Sequence, residues 1–421
     1  MLSHHALNGE SARPPREQMF DLRSHYRAVP PERLELISQR LQRTWNSLRL
    51  FWQPGATHFP ADRLCITDSE IITYPRTKPT NIGLAILSQL AAEKVDLLTI
   101  PEAEKHIRQL LDSLAHIERC NGFFYDWYDT QTGEKLTKWP EGGNELQPFL
   151  SSVDNAWLAL ALLITQKIKP SMAEFIQEEF LSQMNFESFF DPDSQELWGG
   201  YEVAKQAHSQ FHYSRERVSE PRIIHWVNAA LCQDEGQRQI ILKRLLDKQG
   251  KVPKQLAGGA MFELLMPQLF IQEDYLEEAV QVIFQQHREY GEQHLDGCIG
   301  LSVADDPTQD NHYREMGVGG TYPPASVLSS HGVALALLVQ PDLALLTLQK
   351  IEKLPGFYTE VGYFDAVDLK TGAVTDTQVF VNQAMVFLSF FTYLDDSLRE
   401  AFAEYFSPKQ IIFPLLKKEL R

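Results

Sequence analysis

The chain has 421 residues, 43% of them hydrophobic and 23% charged, enough apolar content for a sizeable core and unlike a disordered segment. Its 39 Lys and Arg against 56 Asp and Glu give a formal charge of -17, which repels phosphate backbones, so nucleic acid is not an expected partner. The densest basic stretches, Lys350 to Lys353 and Lys417 to Arg421, are short and read as solvated helix faces.

No stretch of about 18 consecutive apolar residues occurs, so no membrane span is expected, and MLSHHALNGESARPPREQ at the start lacks the apolar core of a signal peptide. A cytoplasmic location is the default expectation. Cys65, Cys120, Cys232 and Cys298 are far apart and lack metal-ligand spacing, so they read as reduced thiols, mostly buried. The length exceeds the usual single core and leaves two domains or one large helical barrel.

Residues 1–28 are polar, with Pro14 and Pro15 adjacent, and are expected to form a loosely ordered arm ahead of a single domain over 29–421. From there apolar residues recur every three or four positions. The spacing predicts helices over 31–53, 79–95, 101–119, 151–167, 171–184, 214–232 and 234–248, then 259–271, 274–290, 326–339, 342–352, 378–393 and 396–406. About a dozen helices joined by alternating short and long connections suggest hairpins curling round a centre, an (α/α) barrel. An extended solenoid is the alternative, although no fixed-period repeat is present.

The long connections carry aromatics and carboxylates. In NGFFYDWYDTQTGEKL, Phe123, Tyr125 and Trp127 alternate with other residues and Thr132-Gly133 supplies a turn. In FESFFDPDSQELWGGY, Asp191-Pro192-Asp193 turns the chain back toward Trp198. Both read as β-hairpins on a barrel rim, where binding groups usually sit. Tyr125, Trp127, Trp139, Trp198 and Tyr201 could offer flat faces to sugar rings, or could simply pack in the core.

Three acids could do proton chemistry. Asp154, in SSVDNAWLALALL, falls in the first turn of a helix if Ser151 or Ser152 is its N-cap, where it could serve the helix dipole or a substrate. Glu220 stands before Pro221 at a helix start, as a dipole acid, a partner of Arg217 or Arg222, or a catalytic group. Glu263 lies among Met261, Phe262, Leu264, Leu265 and Met266, where a buried carboxylate needs a partner or, facing a cavity, becomes a general acid with a raised pKa.

Nucleotide, zinc-protease and serine-hydrolase motifs are absent. Asp305-Asp306 with Asp310 is the nearest approach to a metal-binding acidic motif, but Pro307 interrupts it and it reads as a polar turn.

Several segments, in order, resemble the glucoamylase-like domain family, which includes bacterial endo-β-1,2-glucanases and a domain of cyclic β-1,2-glucan synthases. They are TNIGLAILSQL at 80–90, GFFYDWYDTQTGE at 122–134, SSVDNAWLALALL at 151–163, Ser219-Glu220-Pro221-Arg222, GGAMFELLMP at 258–267 and VGYFDAVDLKTG at 361–372. The resemblance implies an all-α (α/α)6 barrel with short β-hairpins in the rim loops. It also implies chemistry on the glycosidic bond of a β-linked glucan or oligosaccharide, with no metal or organic cofactor. Asp154, Glu220 and Glu263 would face the central cleft as catalytic acids, with Tyr125, Asp126, Trp127, Trp198, Tyr201 and Gln383 contacting substrate. Two positions depart from the family pattern. Asn382, in Val381-Asn382-Gln383-Ala384, stands where family members often carry Asp, and Ile299 stands where a Trp is usual. A catalytically degenerate glycan-binding protein on the same barrel is therefore the alternative expectation.

Overall fold

The computed structural model describes residues 29–52, 55, 57–67, 69–213, 218–246, 258–309 and 312–406. The expected arm at 1–28 lies outside them, as do Arg217, Asp310 and the basic stretch at 417–421.

Among the described residues the chain forms thirteen α-helices and eighteen short strands. The helices are α1 (Pro31–Leu50), α2 (Pro79–Lys94), α3 (Ile100–His116), α4 (Ser152–Ile168), α5 (Pro170–Glu179), α6 (Ile223–Leu231) and α7 (Glu235–Leu246). There follow α8 (Met261–Leu265), α9 (Glu277–His294), α10 (Ser330–Leu335), α11 (Pro341–Ile351), α12 (Phe380–Leu394) and α13 (Ser397–Ala403).

Composition decides which helices lie inside. In α2 every residue from Pro79 to Ala92 is buried, whereas α3 buries only the stripe Ala103, Ile107, Leu110, Leu111 and Leu114. A helix apolar all round must be surrounded, and one with a single stripe needs a wet face. The inner ring runs α2, α4, α6, α8, α10, α12, and α12 packs back on α2 to close it. The step from α6 to α8 is made through the 3-10 turn Glu220–Arg222 at the head of α6. On the outside, α1 packs on α12, α3 on α2, α5 on α4, α7 on α6 and α11 on α10. This is the (α/α)6 barrel. At Gly83 the helices α2 and α4 come so close that a Cβ would stand 2.9 Å from the Trp157 carbonyl oxygen, so only glycine fits that crossing.

Strands hand the chain on to inner helices. Phe149–Ser151 leads into α4, Val327–Ser329 into α10 and Thr377–Val379 into α12. The helices expected at 326–339 and 378–393 therefore begin a few residues late, because their first apolar residues pair as strands with Ala366–Asp368 and Arg63–Ile66. The helix expected over 259–271 gives α8 and then the 3-10 turn Pro267–Leu269, since Pro267 cannot continue it. The one expected over 214–232 is reduced to the 3-10 turn 220–222 and α6, with 214–217 outside the described residues. Both expected rim hairpins form, Phe190–Asp191 pairing with Glu196–Leu197, and the first turning at Gly133 with φ 78°.

Candidate functional site

Because strands enter and inner helices leave at the same rim, the helix N-termini gather there, and with them the residues just before and inside the first turns. Going round the ring, Lys78 precedes α2, Asp154 is in the first turn of α4, Glu220 opens the turn into α6 and Glu263 is in the first turn of α8.

Ser151 caps α4, its Oγ accepting from the Asp154 amide at 3.2 Å and its hydroxyl donating to Asp154 Oδ2 at 2.5 Å. Thr80 donates to Asp154 Oδ1 at 2.7 Å, and Lys78 Nζ stands 3.2 Å from the same oxygen. Burial alone would raise the Asp154 pKa, but Lys78 and the two hydroxyls outweigh it and hold the carboxyl below its usual range. Asp126 shares a hydrogen bond with Asp154 and is pushed up to about 8, first by burial and then by the Asp154 charge, against the pull of Lys78. Of the two carboxyls, Asp154 is the one favoured to ionise first as pH rises. Lys78 in turn is held charged, since Asp154 first and Asp62 with it outweigh the effect of its burial.

Glu220 does not pair with Arg222; that guanidinium binds Glu273. Instead Trp157 Nε1 donates to Glu220 Oε1 at 2.7 Å. Burial and the neighbouring Asp154 push Glu220 up to about 7, with Trp157 and Lys78 acting against the shift and Glu263 adding to it. Glu263 is 9% exposed, and its Oε2 accepts from the Ala260 amide at 3.4 Å. The Tyr213 hydroxyl feels Asp154, Glu220 and Asp126 beyond the effect of its own burial, and the Tyr322 hydroxyl feels Glu263, Glu315 and Glu220. Asp154, Glu220 and Glu263 are therefore neighbours along one stretch of the rim.

The expected sugar contacts divide. Trp127 is half-buried beside this cluster, edge-to-face with Trp139 at 5.3 Å, with Lys78 Nζ 5.7 Å and Arg76 5.5 Å from its ring. Tyr201 is half-buried on the strand Gly200–Glu202 and meets His208 edge-on at 5.6 Å. Trp198 is stacked with His212 at 3.7 Å and with His208 at 5.5 Å, so imidazoles already occupy its faces. Tyr125 is 5% exposed and packs in the core, its hydroxyl donating to Glu118 Oε1. Gln383 is a correction: it is 0% exposed, its amide donates to the Tyr363 carbonyl at 3.0 Å and its oxygen accepts from Ser47, leaving no surface for a ligand. Ile299 is also enclosed in the core, and of the cysteines only Cys298 is buried, the other three being half-buried.

Asp305 and Asp306 are the second correction. They are not a polar turn but a fully buried strand, Ala304–Asp306. Asp306 pairs with Arg314 at 2.5 Å. Asp305 Oδ2 accepts from both Arg63 and Thr377, while its amide donates to Asp365 Oδ2 at 2.9 Å. Asn382 donates to Asp365 Oδ1 at 2.8 Å, so the amide at this departure from the family pattern holds a buried carboxyl. Burial and then the Asp305 charge push Asp365 up to about 7. This second carboxylate group continues the first, because Lys78 and Tyr313 both feel Asp62, and Tyr313 feels Asp365 and Asp305. The sequence reading misses Lys78, Asp62 and Asp365 and takes Asp305 for a turn residue, because nothing local separates them from surface charges.

Among the described residues no group of three or more His, Cys, Asp or Glu could hold a metal ion, and no helix is long and apolar enough to cross a membrane.

Residues 243–405 match the family described as "Putative glucoamylase". A stretch of 147 residues, 35% of this chain, is 25% identical to the cyclic β-(1,2)-glucan synthase NdvB of Rhizobium meliloti, and it spans 5% of that protein. The endo-β-1,2-glucanase of Chitinophaga pinensis, solved with sophorotriose and glucose, superposes with a TM-score of 0.70 at 12% identity, covering 89% of this chain and 95% of that one. The endo-β-1,2-glucanase of Talaromyces funiculosus, solved with sophorose, gives 0.66 at 10% identity over 91% and 88% of the two chains. In sequence over residues 243–405 and in fold over most of its length, this chain is similar to the glucoamylase-like family.

Proposed function

We propose that the protein is a glycoside hydrolase or transglycosidase acting on a β-linked glucan, with a β-1,2-linked glucan as the first substrate to try. The observation that carries this reading is Glu220, a carboxyl at the rim of the inner helices held by Trp157 Nε1 at 2.7 Å and pushed up to about 7 by burial and by Asp154. An acid poised near the working pH is what protonation of a glycosidic oxygen needs.

In this reading Glu220 gives its proton to the glycosidic oxygen as the bond from that oxygen to C1 breaks. Asp154, kept ionised by Lys78, Ser151 and Thr80, takes a proton from the water or sugar hydroxyl that attacks C1. Glu263 adds negative charge that keeps Glu220 protonated, and Trp127 offers a sugar ring its apolar surface. The fold and the partial family match support the substrate class, as do the sophorose and sophorotriose named with the similar structures. A reducing compartment such as the cytoplasm fits the four free cysteines.

Incubation with a panel of β-1,2-, β-1,3-, β-1,4- and β-1,6-glucans, with product analysis and calorimetry on the same samples, tests the proposal. Turnover of a β-glucan that is lost in Glu220→Gln is expected. Binding without turnover would favour the degenerate glycan-binding reading, for which Asn382 bound to Asp365 is the motivating observation.

A further inference from the structure

Arg222 ends the 3-10 turn that Glu220 begins, and its side chain is wholly buried with that of Glu273. Its Nε donates to both Glu273 oxygens at 2.9 Å and its Nη2 to Oε2 at 2.7 Å. The remaining donors go to main-chain carbonyls on two different segments. Nη1 reaches Ser219, the residue before Glu220, at 3.1 Å and Glu263 itself at 3.0 Å, and Nη2 reaches Leu264 at 2.6 Å. Glu273 is fixed from behind by Trp226 Nε1 and the Tyr275 hydroxyl, each at 2.9 Å.

We propose that Arg222 is a positioning residue that sets the Glu220 and Glu263 carboxyls relative to each other, by tying the turn that carries one to the helix that carries the other. The inference rests on the reading of Glu220 as the acid. A buried ion pair is weak evidence for stability, because apolar residues of the same volume often serve as well. Apolar residues could not bind three carbonyls drawn from the Glu220 turn and the Glu263 helix. A planar guanidinium makes such bonds in fixed directions, and a lysine ammonium does not. Glu273 has a second effect. By balancing the guanidinium it keeps a bare positive charge away from Glu220, which would otherwise lose its proton too readily.

The test is Arg222→Lys, with Arg40→Lys as control, since Arg40 also makes a buried ion pair, with Glu352, but on α1. Both variants should lower Tm. Only Arg222→Lys should lower kcat at neutral pH, at least tenfold with KM within about threefold, and move the alkaline limb of the pH profile to lower pH as Glu220 gains water. If Arg222→Lys keeps kcat and the limb while losing Tm as the control does, the positioning role is wrong. Should Arg222→Lys fail to fold, Glu273→Gln keeps an acceptor but leaves the guanidinium unbalanced, and an unmoved limb there overturns the proposal equally. If the parent protein hydrolyses no glucan, the functional reading fails by itself. The Glu220 titration, followed by carboxyl NMR on glutamate-labelled protein, then decides, with a lower pKa in Arg222→Lys expected and an unchanged one overturning the inference.

Discussion

Trp157 donates its indole N–H to Glu220 Oε1 at 2.7 Å from a side chain 1% exposed, so the barrel core itself aims the Glu220 carboxyl. Glu220→Gln keeps that acceptor and removes only the proton chemistry. Turnover should fall by about a hundredfold or more while stability near pH 5 changes by less than about 1 kcal/mol. The pH dependence has a definite sign. Glu220 is raised from 4.5 to about 7 in the folded protein, so its stabilising contribution is present below 4.5 and is lost as pH rises through about 7. The Tm of Glu220→Gln should therefore gain on the parent between pH 5 and pH 8. A variant that loses stability at both values would make Glu220 a structural residue.

Against the effect of its burial, Lys78 is held charged chiefly by Asp154, and Asp62 adds to that. Lys78→Met removes the ion pair to Asp154 at 3.2 Å, and Asp154 should then titrate at higher pH. Because both side chains keep some exposure, 26% and 13%, the stability loss should be on the order of 1 to 3 kcal/mol, below that for a fully buried pair. Activity should fall by about a hundredfold and its acid limb should move to higher pH. An acid limb that stays put in Lys78→Met would separate Lys78 from the ionisation of Asp154.

Much of the barrel is legible along the chain, and the limits are physical. Helices such as α2 and α4 are long apolar runs, and their start signals, Pro79 as the first residue of α2 and Ser151 as the cap of α4, are local. Asp154 and Glu220 are legible for the same reason, since each sits at a helix start. Buried position is another matter. Asp305 looks like loop sequence until Arg63 and Thr377 arrive from distant strands. Gln383 lies one residue from Asn382 at the head of α12 but is turned toward the core and Ser47. Strand alternation likewise could not tell Tyr125, packed in the core, from Trp127 beside Lys78.

The two tryptophans proposed for sugar contact should behave differently. Trp198 is stacked with His212 and His208, so Trp198→Ala should loosen the hairpin and lower Tm while changing glycan affinity by no more than about threefold. Trp127 stands beside Lys78 and Asp126, and Trp127→Ala should weaken binding about tenfold or more, a loss of about 1.4 kcal/mol. Calorimetry on both variants checks this, and equal losses would mean that Trp198 turns out of its stack to meet the ligand.

The last prediction concerns Asp305 and Asp365, two buried carboxyls with Arg63 as the cation at hand. Asp305 Oδ2 is occupied by Arg63 and Thr377, while its Oδ1 has no hydrogen-bond partner among the described residues. Asp305→Asn can therefore keep an oxygen toward Arg63 and Thr377, place its amide at the unoccupied side, and remove the charge that faces Asp365. Asp365 is pushed up to about 7 by burial and then by that charge. A raised folded pKa means that its contribution is present below the unfolded value and is lost as pH rises through about 7. Without the Asp305 charge the Asp365 pKa should fall, and less stability should be lost on the way to alkaline pH. Against this stands the loss of the ion pair to Arg63, which places the variant below the parent at pH 5. Measured by thermal melts, Asp305→Asn should thus sit below the parent at pH 5 and close much of that gap by pH 8. A gap that is equal at the two pH values, or that widens, would show that the two carboxyls do not share their ionisation.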